Sequence, residues 1–564
     1  MKDDRFIVMK NAAEPVPMAQ IPVLDYADFA AQMISLMSVE ANHCVLYYAF
    51  PYEKGLRFMV CVARDEEGDI AVFSHHLNDS QAVLESLTPR IPQLHLFERE
   101  MHENFGVKFE NHPWMKPVRT PFDLSTESMN GHTGERSSPL RAQPVTNHQS
   151  PFTNHHSPFT NSASRIDQYP FYRIDSEELH EVGVGPIHAG VIEPGHFRFI
   201  CNGEKVLHLE IMLGYQHRGV ERMMVEEVEK VEKVEKVVPV GASLRTPVPI
   251  FEKRNVLRRA ILAENIAGDT AVGHGLAHAQ LMESLAGIEV SERLKLERSI
   301  ALELERIAVH IGDTAALCTD VAYQLGQVVN EALRTTIINT TQFWCGNRFG
   351  KGLIRPGGTQ YPLTAEVANE ILRVLEDSGS RYVDMANVIF SSPTVLARFD
   401  EIGTVTKEQA ALIGVVGMAA KTCGIPRDIR KSHPFAGYKA GAFEPVVLDS
   451  GDVLARGMLR NREVRESVEM VKELVKGVKG VEEVKGSSFA FRHSSFALSL
   501  TEGWRGEIAH AAVTDEKGEL VHYKIKDPSF HNWMALQLAV RNQEISDFPV
   551  CNKSFNLSYC GHDL

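Results

Sequence analysis

Cysteine is scarce: 8 in 564 residues, with no two spaced C-x-x-C. That excludes a disulfide scaffold and argues against a cysteine-built zinc or iron–sulfur cradle within the chain. Positive charge is in deficit as well. A formal net charge of −14 argues against nucleic acid as the main partner, since a phosphate backbone wants a basic face. No apolar run reaches the roughly 18 residues that span a bilayer. The nearest, ALIGVVGMAA at 411–420, stops at Lys421 and reads as a buried helix. The opening MKDDRFIVMKN has charges with no apolar run behind them, so no signal peptide is read. A dinucleotide fingerprint is missing too. VGVGPIHAG at 182–190 has the wrong glycine spacing and opens no helix, which weakens a stand-alone NADH enzyme.

The chain that remains is 44% hydrophobic and 23% charged, ordinary for a folded protein and long enough for more than one domain. CVLYYAF (44–50) and LRFMVCVA (56–63) read as strands joined by a PYEKG turn, SQAVLESL (80–87) as a helical pattern. NHQSPFTNHHSPFTNSAS (147–164) repeats a short unit without helix or strand period and reads as a linker. Its His148, His155 and His156 are either a loose metal site or a polar repeat expansion. EEVEKVEKVEKVV (226–238) and the repetitive stretch 468–499 read as solvated insertions, an extended hairpin or a loose helix. From about 255 to 345 the spacing predicts long helices, with Ser291 as an N-cap; Thr364 caps another at 364–378. The tail mixes short strands (GEIAHAAVT, ELVHYKIK) with a final helix at about 531–541.

Several stretches carry a family resemblance. E-R-E at 98–100, Glu103 and the glycine before VKF, followed by NHPWMKPVR, resemble the small peripheral subunit of respiratory complex I. GPIHAGVIEPGHFRF (185–199), HLEIMLGYQHRGVERM (208–223), ELERIAVHIGD (303–313), IRPGG (354–358), GIPRDIRKSHPFAGY (424–438) and GDVLARGMLRNREVRES (451–467) resemble, in family order, complex I quinone-site subunits and nickel–iron hydrogenase large subunits. Fusion of the two is similar to the large subunit of energy-converting hydrogenases of the formate hydrogenlyase type. The resemblance implies an α+β chain: a small α/β domain (1–122), a low-complexity linker (123–165), and a mainly helical domain (166–564) with small β pieces at both ends and insertions near 225–240 and 468–499.

A hydrogenase of this family takes four cysteine thiolates, because soft donors hold nickel and low-spin iron. The resemblance places these at Ala267, Thr270, Ser529 and Asn532, none a cysteine, although Glu264, Gly268, His274 and the Asp527–Pro528 pair match. No metal is therefore expected. Asp269, His274, Ser529 and His531 as a harder-metal set, and Cys551, Cys560 and His562 as a tail site, are the alternatives. In complex I the cavity takes a quinone, held by donors to its two carbonyls. Here His188 matches the first family histidine while the second falls at Ile192, and the tyrosine region overlaps the EKVEK stretch. His188, His196, Glu264 and His274 are the candidates for proton or quinone handling. Arg218, Glu221, Glu303, Arg306, Asp428 and Arg430 form the candidate coupling network; a salt-bridge frame is the competing reading. The resemblance implies a peripheral subunit, cytoplasmic on the inner face of the cell membrane, of a complex coupling electron transfer to ion translocation. Iron–sulfur clusters would sit in a small neighbouring subunit beside antiporter-like membrane subunits. A structural or coupling subunit without its own substrate, or a true hydrogenase, are the alternatives.

Overall fold

Strands Asn42–Tyr52 and Gly55–Arg64 form an antiparallel hairpin whose residues are buried along most of their length. Their β-branched and aromatic side chains suit a pleated surface packed on both faces. Asp69–Leu77 extends the sheet, with Ile7–Met9 antiparallel and Val23–Leu24 parallel beyond it. Helices Tyr26–Met37 and His95–Phe105 cover one face, around Phe29, Tyr47, Phe73 and Phe97. Leu46, Met59 and Cys61, on the other face, belong to the same core as Leu302, Ile307 and Leu498 of the helical part. The computed structural model describes residues 5–78, 82–120, 169–188, 192–226, 254–439, 443–478 and 491–564. The 123–165 linker, its histidines and the EKVEK stretch lie outside them.

The helical part is built on Ala271–Ala286, Glu292–Asp320, Gln324–Cys345, Ala365–Ile389 and Val453–Val478. Ser291 and Thr364 cap their helices as expected, each side chain accepting the N–H three residues on. A three-stranded sheet (His180–Val184, His196–Asn202, Lys205–Met212) lies at one end. At the other, Ser495–Glu502, Glu507–Thr514 and Leu520–Lys526 form an antiparallel sheet, to which Val16–Pro17 adds an edge strand. The helix expected at about 531–541 is Ser529–Ala539, but it is not the last: Phe548–Phe555 and Tyr559–Asp563 follow it. The α+β architecture holds, and the first part contributes a strand to the second part's sheet.

Three local expectations are corrected. Within 80–87, Val83–Glu85 is a strand paired parallel with Lys108–Glu110, because Leu84 is buried while its neighbours face out, a period of two. The 411–420 run is two helices, Lys407–Ile413 and Gly417–Lys421, since Gly414 and Gly417 both have positive φ. The stretch 468–499 is not a solvated insertion over most of its length. Its start completes helix Val453–Val478, which buries Val468, Val471, Leu474, Val475 and Val478, and its end is the buried strand Ser495–Glu502. Each such aliphatic burial is worth roughly 1.5–3 kcal/mol, which a solvated loop would forgo.

Candidate functional site

The loop between helices Arg254–Ala263 and Ala271–Ala286 carries Glu264, Ala267, Asp269 and Thr270. Glu264 accepts from Arg355 Nη1 at 2.5 Å and from the N–H of Gly352 at 2.8 Å, so it fixes the IRPGG turn. Ala267 and Thr270 are fully buried. Arg505, at the turn after strand Ser495–Glu502, grips Asp269 with two nitrogens at 2.6 and 2.7 Å and donates to Thr270 Oγ1 at 3.1 Å. The Trp504 indole donates to the Asp269 carbonyl at 2.9 Å. Arg218 donates to the carbonyls of Asn265 (2.7 Å), Ile266 (2.9 Å) and Cys560 (3.1 Å).

Segment Ser558–Leu564 therefore lies against this loop, an approach the sequence did not signal. Burial pushes the Cys560 thiol up to about 11. Ser529 takes the Ser558 N–H on its hydroxyl at 2.9 Å, whereas Asn532 turns to the backbone of Val416, donating and accepting at 3.1 Å. The donor set at the four family positions is a methyl, two hydroxyls and an amide, and every polar one is engaged within the protein. It does not fit a nickel–iron group. Among the described residues no cluster of three or more His, Cys, Asp or Glu has metal-holding geometry.

His274 sits in a buried chain. Its Nε2 lies 3.0 Å from Asp527 and its Nδ1 3.0 Å from His510; His510 meets Tyr523 OH at 2.8 Å, and Tyr523 meets His278 at 2.9 Å. With Asp527 as terminal acceptor, donors run one way, from His278 through Tyr523, His510 and His274. Burial drives His510 well below its ordinary range and His278 to about 3, so both stay neutral. Burial alone would raise Asp527; the hydrogen bond from His274, with Arg505 nearby, holds it down.

His188 and His196 lie apart from this chain, on the three-stranded sheet. His188 is half-buried, 3.4 Å from Tyr559 OH. Gly195 makes room for that tyrosine, since a Cβ there would stand 2.6 Å from its ring. His196 is buried with Nδ1 3.2 Å from the Gly185 carbonyl, and burial lowers both histidines. Ile192 is 47% exposed.

Of the coupling candidates, Glu303, Arg306, Asp428 and Arg430 meet. Glu303 accepts from Arg306 (3.1 Å), Arg430 (3.1 Å), Tyr438 (2.5 Å) and Ser467 (2.6 Å), and Arg430 pairs with Asp428 at 2.7 Å. Burial opposes the Glu303 charge, but Arg306 and Arg430 hold its carboxyl at about 2. Glu463, which the resemblance placed near this group, completes the cluster together with Lys421 and Glu502, which sequence reasoning missed. Glu221 belongs to another group, with Lys524 at 3.0 Å, Arg119 at 3.5 Å and, on the same cations, Glu100 of the E-R-E. Arg99 donates to the Lys116 and Pro117 carbonyls, and Glu103 accepts the N–H groups of Arg119 and Thr120, so the motif clamps the segment 116–120.

Residues 23–148 match the family description "Respiratory-chain NADH dehydrogenase, 30 Kd subunit", and residues 325–494 match that of the 49 Kd subunit. The chain is 23% identical over 518 residues to hydrogenase-4 component G of Escherichia coli (strain K12), covering 92% of this chain and 80% of that one. It is 24% identical over 396 residues to NADH-quinone oxidoreductase subunit 4 of Thermus thermophilus, covering 66% of this chain and 90% of that one. A chain from the membrane-bound sulfane sulfur reductase, an archaeal respiratory membrane complex, superimposes with a TM-score of 0.60 at 21% identity, covering 70% of this chain and 100% of that one, which establishes a shared fold.

Proposed function

We propose, from the premise that this chain joins members of the 30 kDa and 49 kDa subunit families of the respiratory-chain NADH dehydrogenase in one polypeptide, that it works without nickel or iron of its own. It is a subunit of a membrane-bound complex related to complex I and to the energy-converting hydrogenases. No helix among the described residues is long and apolar enough to cross a membrane, so the chain meets the bilayer through partners. Electrons arrive from a small iron–sulfur subunit, and antiporter-like membrane subunits move the ion. The acceptor is of the quinone class. His188 and Tyr559, side by side at 3.4 Å, are the donor pair offered to its carbonyls. When bound, a quinone takes up two electrons and two protons; the chain's own residues orient it and exclude water.

The observation that carries the loss of metal chemistry is the donor set at the four family positions, a methyl at Ala267, hydroxyls at Thr270 and Ser529 and an amide at Asn532, with Thr270 taken by Arg505 and Asn532 by Val416. That same filled loop favours a second reading, a coupling subunit with no substrate of its own. Purification of the tagged chain from its own membranes separates the two. An iron–sulfur subunit and antiporter-like subunits should co-purify. The complex should reduce a short-chain quinone, and Tyr559→Phe should lower that rate about tenfold with unfolding unchanged. A complex that assembles but reduces no quinone supports the coupling reading; a chain recovered alone contradicts both.

A further inference from the structure

Four buried carboxylates meet three buried permanent cations where helices Glu292–Asp320 and Val453–Val478, the 421–430 segment and the end of strand Ser495–Glu502 come together. The cations are Arg306, Lys421 and Arg430. Glu303 is satisfied four times over. Asp428 holds Arg430 at 2.7 Å and Lys421 at 2.9 Å. Glu463 Oε1 is buried without a hydrogen bond, but Lys421 Nζ lies 2.6 Å from it, and its Oε2 is 2.8 Å from His310 Nε2. Glu502 is the poor relation. Its Oε2 accepts the Ile429 N–H at 3.1 Å, but its Oε1 is buried without a hydrogen-bond partner. Lys421, already committed to Asp428 and Glu463, is 3.8 Å away. An ionised oxygen left in that state is costly, whereas a neutral carboxyl is not.

We propose that Glu502 is protonated at neutral pH and is the group through which this buried cluster takes up and gives up one proton, a proton-holding site of the complex. With Glu502 neutral, three carboxylates face three cations. Uptake places H⁺ from water on Oε1; release returns it and leaves the fourth charge uncompensated. The groups facing Glu502 pull in both directions, and burial decides the balance. Burial first, then Asp428, raise its carboxyl to about 8 against the opposing pull of Lys421, Arg306 and Arg430. The site is joined to the loop described above. Arg306 donates to the carbonyls of Glu502 (2.7 Å) and Gly503 (3.1 Å), Thr501 Oγ1 donates to the Gly273 carbonyl at 3.2 Å, and Arg505 three residues on holds Asp269. A change of charge in that loop therefore acts on the strand end that carries the proton. Glu502 fills this role whichever acceptor the complex uses.

The test is infrared spectroscopy of the full chain at neutral pH, reading the carbonyl stretch of protonated carboxyl groups. Glu466, raised to about 7 on the same helix as Glu463, and Glu305, raised to about 8 beside Asp269, should contribute bands of their own. Glu502→Gln should remove one band, while Glu463→Gln should remove none. A full set of bands in Glu502→Gln, or loss of a band in Glu463→Gln, overturns the assignment. A second readout is stability against pH. A native carboxyl titrating near 8 keeps a proton that the unfolded chain loses near 4.5, so wild-type stability falls relative to Glu502→Gln as pH rises through that window. Parallel curves contradict the proposal.

Discussion

Glu303 shows what single residues do in this core. Its carboxylate is wholly buried and takes two guanidiniums, a phenol and a hydroxyl, so Glu303→Gln leaves Arg306 and Arg430 short of a counter-charge. The expected loss is about 3–5 kcal/mol, read by denaturant unfolding. Glu502→Gln, by contrast, should cost little at neutral pH. The pairs Glu303–Arg306 and Asp428–Arg430 were legible because each is short-range in sequence. Glu463 was named through the resemblance, but Lys421 and Glu502 were not, since only packing of three helices and a strand end brings them to it. The same holds at the loop carrying Ala267 and Thr270. The resemblance pointed to Ser529 and Asn532 as its partners, but Asn532 bonds to Val416, while Arg218 ties the loop to the Cys560 carbonyl. No local pattern announces a contact across that distance.

Helices were readable where their caps are chemical and their faces regular. Ser291→Ala should cost about 1 kcal/mol in thermal unfolding, because the Leu294 N–H loses its acceptor. Patterns failed where a neighbour decides the backbone. Gly417 has φ +60°, and a Cβ there would stand 2.0 Å from the Gly506 Cα, so the apolar 411–420 run has to break. Gly417→Ala should destabilise by roughly 1–3 kcal/mol, through left-handed strain and overpacking. A protein as stable as wild type by denaturant titration would contradict that account. The Val-rich repeat at 468–478 drifts around a helix face, which reads as solvated in isolation. The facing helices Glu292–Asp320 and Ala365–Ile389 turn it into core.

At the scale of the molecule, the first part and the helical part share one core, and His43 is a latch between them. It lies 2.6 Å from Glu507 of the helical part and 3.3 Å from Asp65, which His433 also meets at 3.0 Å. Burial and Arg427 oppose the imidazolium, but Asp65 and Glu507 outweigh them and hold His43 above its ordinary range. Its contribution is therefore complete below the unfolded value of 6.5 and is lost as pH rises through the higher native one. Wild-type stability should fall across that interval more steeply than that of His43→Gln, as thermal unfolding at a series of pH values would record. Motif order carried the resemblance to a fused organisation, which the two family matches support; the shared core and this latch required the fold.

The central claim is that the hydrogenase-like frame persists while its metal chemistry has gone. Elemental analysis of the complex purified from its own membranes should find nickel far below one atom per copy of this chain. Stoichiometric nickel would contradict it.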